Sequence, residues 1–328
     1  MALGSKNKFK VLPIQYTPLP NGGILKQGPN EMVIPSKSAA EAIWGILNSA
    51  SRGGATQEEI LRLFNPSVRS KIKRIIQGLV DQRLLVPQEN FKVVILGVNY
   101  ISQQLVSSLR ASGIKTISVL DLPGLRNHEL INQSGRLNKT RWISPGISPK
   151  AWGNNFDFSE IDILITTSDY DASNIFQEWN RFCLKNKKTF LPVYNSNLLG
   201  FVGPLVVPGQ TACFECLQAR QNSHLENPER FFLAKNSPIV SEKILGFHPS
   251  MGSILGNIAA FELSRFYGPS IPFSNVGNAV RVDFFDFGIR KNKVLKVPRC
   301  AACSSMNHRA SPDLENTTFV PLDGGQPW

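Results

Sequence analysis

Val206-Val-Pro-Gly-Gln-Thr-Ala-Cys-Phe-Glu-Cys216 is answered near the end of the chain by Lys296-Val-Pro-Arg-Cys-Ala-Ala-Cys303. Each segment carries one C-x-x-C pair, Cys213 with Cys216 and Cys300 with Cys303, and together they use four of the five cysteines. Two such pairs predict one structural zinc site: four thiolates in a tetrahedron close the coordination sphere and leave no open position for chemistry. Two disulfides or a redox pair are the weaker readings, because the chain begins without a signal peptide, is large enough to fold without covalent staples and shows no thioredoxin-like context. His308, just past the second knuckle, is an alternative ligand, and Cys183 sits in an apolar-periodic stretch with Trp179 and Phe182 that reads as core.

A chain of 328 residues with 42% hydrophobic content predicts about two domains with a substantial core. No apolar run approaches the roughly 18 residues of a spanning helix, so the expectation is a cytoplasmic protein with no membrane partner. The net charge of +12 asks for an acidic partner. Residues 1–90 hold 12 Lys/Arg against 6 Asp/Glu, so this quarter carries +6, half of the total. Nucleic acid is not the expected partner, since neither a helix-wide basic run nor aromatic stacking platforms are present.

The first 90 residues read as a small α/β module. Phe9 to Tyr16 predicts a strand, and Gly23 to Gly28 with Glu31 to Ile34 a hairpin around Gly28-Pro29-Asn30. A first helix from about Lys37 to Asn48 places Ala40, Ile43, Trp44 and Leu47 on one face. Thr56-Gln-Glu-Glu59 is a capping box that opens a second. Asn65-Pro66 opens a third, with Val68, Ile72, Ile75, Ile76 and Leu79 buried and Arg69, Lys71, Lys73 and Arg74 on a basic outer face; Leu84 to Pro87 makes a wing strand. This order resembles the PqqD-like winged-helix module that recognises leader peptides of ribosomally made, modified natural products. The resemblance implies a leader that adds a strand beside Met32, Val33 and Ile34, with the basic helix alongside. A DNA-reading winged helix and a purely structural module remain the other readings.

From Lys92 the pattern becomes Rossmann-like: a strand to Gly97, a helix over 99–112, and a strand from Lys115 to Leu122 containing Asp121. Where phosphate cradling needs G-x-G-x-x-G, the chain has Gly97-Val-Asn-Tyr-Ile-Ser102, and Asn99 and Tyr100 put side chains into the space a triphosphate needs. ATP binding of the ordinary kind is not expected. Further strands follow over 162–168, 189–193 and 280–287, with helices after Asp169 and from Pro249 to Tyr267.

In this order, from about residue 92 to 304, the chain resembles the E1-like (ThiF/MoeB-type) family. The resemblance places Asp169 where that family binds magnesium and Asp121 near its ribose, but Asn174 stands where an arginine is expected, and Asp169 reads equally well as a helix N-cap. An E1-like domain with eroded adenylation residues behind a leader-binding module resembles the E1-like partner proteins of thiazole/oxazole-modified microcin biosynthesis. What this implies is an α/β chain of three parts: a leader-binding domain over 1–90, a zinc-containing E1-like domain over 91–305 and a flexible tail over 306–328. It implies no catalytic residue of its own, a structural Zn2+, a precursor peptide as partner, and a separate ATP-using YcaO-type cyclodehydratase that closes Cys, Ser or Thr side chains onto the backbone. It leaves room for a homodimer. An active adenylating enzyme and a zinc-stabilised DNA-binding regulator are the competing functions. His128, His224 and His248 lack a base, nucleophile or paired carboxylate at useful spacing and read as structural or solvated.

Overall fold

The computed structural model describes residues 8–51, 53–87, 91–131, 136–138, 140–143, 147–151, 156–227, 229, 247–267 and 276–304. His308 and the tail 306–328 lie outside the described residues.

The strand expected over Phe9 to Tyr16 is two, β1 (Lys8–Val11) and β2 (Gln15–Leu19). Pro13 between them has no amide to give a ladder. β2 continues into β3 (Gly22–Gln27) and β4 (Asn30–Ile34), an antiparallel sheet of three with β4 at its edge. Gly28 at φ 58° allows the two-residue turn between β3 and β4.

α1 (Lys37–Ser51) buries Ala40, Ile46, Leu47 and Ala50. Trp44, expected in the core, is instead 47% exposed and stacks on Tyr16 at 5.0 Å. β5 (Ala55–Thr56) leads into α2 (Gln57–Arg62), whose capping box is formed: the Glu59 amide donates to Thr56 Oγ1 at 3.2 Å and the Thr56 amide to Glu59 Oε2 at 2.8 Å. Asn65 caps a single 3-10 turn, Pro66–Val68, and the helix proper, α3 (Arg69–Asp81), starts after it and buries Ile72, Ile76 and Leu79. β6 (Leu85–Pro87) and β5 flank β1. Phe9, Leu25, Ile34, Ile46, Ile60, Ile76 and Leu85 form one core beneath these elements.

Then follow β7 (Val93–Leu96), α4 (Tyr100–Ala111), β8 (Ile117–Asp121), β9 (Lys150–Ala151), β10 (Ile163–Ser168), α5 (Ser173–Lys185) and β11 (Thr189–Ser196). The chain continues through β12 (Leu199–Val202), α6 (Phe214–Asn222), α7 (Pro249–Tyr267), β13 (Asn278–Asp283) and β14 (Gly288–Lys293). The strand expected over 280–287 is thus the first arm of a hairpin. Eight strands form one mixed sheet in the order β14-β13-β12-β11-β10-β7-β8-β9, parallel from β11 to β9 and antiparallel beyond.

Both faces of the sheet's parallel centre are covered, so β7 and β10 are buried along their whole length without alternation. Val93, Ile95, Ile163 and Ile165 face α4 and α7 in one core; Val94, Leu96 and Leu164 face Phe176 and Phe214 in the other. α7 presses onto the first turns of α4: a methyl group on Gly256 would lie 2.7 Å from the Ile101 carbonyl, and one on Gly252 2.8 Å from Tyr100 Cβ. The two halves of the chain touch where Lys10 Nζ of β1 donates to the carbonyl of Ser112, the C-cap of α4. A cation suits this helix end. No helix among the described residues is long and apolar enough to cross a membrane.

Candidate functional site

Consecutive parallel strands run β8-β7 to one side and β7-β10 to the other, so the order reverses between β7 and β10. Open α/β sheets take their ligands in the crevice at such a point, beyond the carboxyl ends of the strands. Gly97, at the end of β7, has φ 111°, and a Cβ there would lie 2.5 Å from the Thr167 carbonyl. Its lack of a side chain therefore serves contact with the neighbouring strand.

Asn99 fills the space beside it. Fully buried, its Nδ2 reaches the carbonyls of Leu125 at 3.0 Å and Thr167 at 2.8 Å, while its Oδ1 accepts from the Ser102 amide at 2.9 Å. Asp169, directly after β10, accepts from the amides of Tyr100 (2.9 Å) and Ile101 (3.3 Å) and from Asn127 Nδ2 (2.7 Å). It caps α4 rather than the helix that follows it, since α5 opens at Ala172 with no side-chain cap. The Gln103 amide closes onto the Asn99 carbonyl at 3.0 Å. Every amide from Tyr100 to Gln103 is thereby bonded within the chain, where a phosphate-binding helix keeps such donors for its ligand. Burial pushes the Asp169 carboxyl up to about 6, against the pull of those three donors. The Tyr100 hydroxyl donates to Glu129 at 2.9 Å, and burial raises its pKa to about 12.

Asp121 is likewise engaged. Arg126 meets it with two bonds, Nε to Oδ1 at 2.7 Å and Nη2 to Oδ2 at 3.1 Å. This two-pronged contact occupies both carboxylate oxygens.

Beyond the end of β14 the sequence pairs meet. Cys213 opens α6 as its N-cap, Cys216 lies one turn on, and Cys300 and Cys303 follow the last strand. The four Sγ atoms all lie within 4.8 Å of one another, with 3.8 Å from Cys213 to Cys216, 3.6 Å from Cys213 to Cys300 and 3.4 Å from Cys216 to Cys303. A tetrahedron with ~2.3 Å metal–sulfur bonds has edges of about 3.8 Å, and a disulfide needs about 2.05 Å, so the spacing suits a shared metal ion and not a bridge. The Cys213 thiol donates to Cys216 and lowers its pKa, while that same bond raises Cys213; burial raises Cys303. The Val297 amide donates to Cys216 Sγ at 3.4 Å. Lys296 Nζ to the Gly209 carbonyl (2.8 Å) and Arg220 Nε to the Leu295 carbonyl (2.9 Å) bind the same two segments independently of the thiols. Cys183 is buried in the core, as its periodicity predicts.

The residues that the sequence expects at a peptide site fall on β4 and α3. On β4, Val33 is 60% exposed, Met32 is half-buried and Ile34 is buried, so this edge offers one side chain and its backbone. On α3, Lys71, Lys73 and Arg74 are exposed, with Lys71 and Lys73 on either side of the buried stripe and Arg74 on the face opposite it. Arg69 is used internally: its Nε donates to the carbonyls of Leu61 (3.1 Å) and Phe64 (3.3 Å). Sequence reasoning missed this role, because the acceptors are backbone carbonyls at and just past the end of α2, which no side-chain pattern marks.

By sequence the chain matches no known family profile and no curated protein. By structure it is similar to a heterocyclase solved in complex with substrate and cofactor, at 15% identity and TM-score 0.57 over 91% of this chain and 40% of that one. The heterocyclase TruD is similar at 15% identity and TM-score 0.54, over 91% and 43%. The microcin C7 biosynthetic enzyme MccB, solved with N-formylated MccA, is similar at 18% identity and TM-score 0.53, over 90% and 100%. The fold is shared with these proteins, in agreement with the E1-like resemblance of the sequence. This chain spans about two fifths of the length of the heterocyclases it matches.

Proposed function

We propose that this chain is a non-catalytic, leader-peptide-binding subunit that captures a ribosomal precursor and presents it to a separate YcaO-type cyclodehydratase for thiazoline or oxazoline formation. The observation that carries the reading is the self-filled crevice. Asp169, Asn99 and Arg126 bond the groups a nucleotide would need, so adenylation would first require several buried hydrogen bonds to be broken. The likeness to heterocyclases more than twice as long supports a division of labour in which a second protein supplies the chemistry.

In this account residues 1–90 act as the leader-binding module and 91–305 as the E1-like one. The leader adds a strand to β4, its side chains alternating between the surface near Val33 and solvent, while Lys71, Lys73 and Arg74 attract its acidic residues. Cys213, Cys216, Cys300 and Cys303 hold a structural zinc, which when bound neutralises the thiolates and joins two segments 87 residues apart. The reading is tested by titrating labelled precursor peptide with the purified chain in fluorescence polarisation, and by asking whether neighbouring genes encode a YcaO protein and a short Cys/Ser/Thr-rich peptide. Saturable binding that resides in the leader supports it; binding to the modified core alone overturns it.

A second reading, an adenylating enzyme, draws on MccB, which has also been solved with ATP. It requires Asp169 to release the first turn of α4 and bind metal instead.

A further inference from the structure

Opposite the cysteines, two turns meet at the carboxyl ends of the parallel strands. The β11–β12 turn carries Leu198, the β13–β14 turn carries Phe285 and Phe287, and the Phe284 amide donates to the Leu198 carbonyl at 2.8 Å. Large apolar side chains here point outward: Leu198 is 49% exposed, Phe285 85%, Phe287 72% and Ile289 62%. They are not loosely held. Asp283 Oδ1 accepts from the Phe285 amide at 3.1 Å and Asp286 Oδ1 from the Gly288 amide at 2.8 Å, and Leu255 of α7 packs under the hairpin against Gly200 and Phe284. Phe287 sits at φ 60°, a strained conformation for a bulky residue.

Along one side runs β14, the edge strand of the sheet among the described residues, with Arg290, Lys291 and Lys293 exposed. Residues 288–299 hold five Lys/Arg and no acid. Lysines blunt an edge against self-pairing, but they do not account for two phenylalanines in water beside it. A second copy would set this cationic strip against itself.

We propose that this surface docks the separate peptide-modifying subunit, with Leu198, Phe285, Phe287 and Ile289 as its apolar centre and Arg290, Lys291 and Lys293 as its flank. The partner's face must then present an apolar recess bordered by carboxylates. The inference rests on the two-subunit reading above, and it gives that reading a geometry. The subunit sits at the ligand-binding end of the sheet, over a crevice the chain has closed, while the leader is held by the amino-terminal half.

The test uses the full zinc-bound chain and the cyclodehydratase subunit of its own gene cluster, with binding followed by interferometry. The double variant Phe285→Asp/Phe287→Asp is expected to bind that subunit about 100-fold more weakly or worse, as loss of a buried aromatic pair at an interface centre would cause. Its zinc content and leader affinity are expected to stay at wild-type values, because both residues are exposed. Arg290→Glu/Lys291→Glu/Lys293→Glu is expected to slow association by about tenfold and to reduce its salt dependence. Wild-type affinity in the aromatic variant overturns the surface while leaving the two-subunit reading intact. If the wild-type chain binds peptide but not the subunit, that reading fails, and the surface with it. A wild-type dimer that the aromatic variant turns into a monomer assigns the surface to a second copy and overturns the proposal.

Discussion

Beyond the end of β14, Cys213, Cys216, Cys300 and Cys303 turn their sulfurs toward one another; at the carboxyl ends of β7 and β10, Asp169 bonds Asn127 and the first turn of α4, and Asn99 bonds the carbonyls of Leu125 and Thr167. One end brings four thiols together at a spacing that suits a shared cation. The other gathers polar groups and pairs them off. Polar residues at a ligand-binding position thus indicate a ligand only when their donors and acceptors are left over.

The largest effect expected to separate the two ends comes from the cysteines. Cys300→Ala or a strong chelator should remove one zinc per chain, read by elemental analysis, and lower the stability of the part built on the mixed sheet by about 4 kcal/mol or more, since losing a metal is among the few single changes that large. Leader binding proposed for residues 1–90 should survive. If it disappears while those residues stay folded, the two modules are not independent.

Next comes the crevice. Asn99→Ala should cost about 2–4 kcal/mol in denaturant unfolding, because it removes a helix cap and strands the buried Leu125 and Thr167 carbonyls, with zinc content unchanged. A neutral result would mean that the crevice is looser than its hydrogen bonds imply.

Asp169 sharpens the contrast through pH. Its carboxyl rises from 3.8 in the unfolded chain to about 6 when folded, so the folded state holds the proton more tightly. That contribution to stability is full below the lower value and is lost as pH rises through the upper one. Asp169→Asn should erase this decline, so that wild type loses stability relative to the variant between about pH 4 and pH 7. Parallel curves would contradict the buried placement.

The smallest effects on stability belong to the basic helix. Lys71→Glu/Lys73→Glu/Arg74→Glu should stay within about 0.5 kcal/mol of wild type yet weaken peptide capture by about tenfold, whereas Arg69→Ala should cost about 1 kcal/mol of stability through the α2 carbonyls it bonds.

These contrasts also mark what the sequence could tell. The C-x-x-C pairs were legible because metal ligation imposes a spacing within each knuckle, and the capping box at Thr56 because its two partners are three residues apart. Asp169 is different: its partners Tyr100 and Asn127 lie 69 and 42 residues away, so whether it caps a helix or binds a metal depends on pairing that no local pattern records. Trp44 fell on the apolar side of α1 by periodicity, but the buried stripe runs through Ile46 and Ala50, and the indole lies over Tyr16 at the rim. The exposed Phe285 and Phe287 read as strand because nothing in 280–287 marks the turn except the aspartates at 283 and 286.

Under the proposed function, this chain binds a peptide and leaves the ATP chemistry to another protein. Pyrophosphate exchange and phosphate release, measured on the purified chain with saturating precursor peptide, test it most directly. The account predicts no peptide-dependent turnover by the chain alone and turnover once the cyclodehydratase is added; peptide-dependent exchange by the chain alone, abolished in Asp169→Asn, would contradict it.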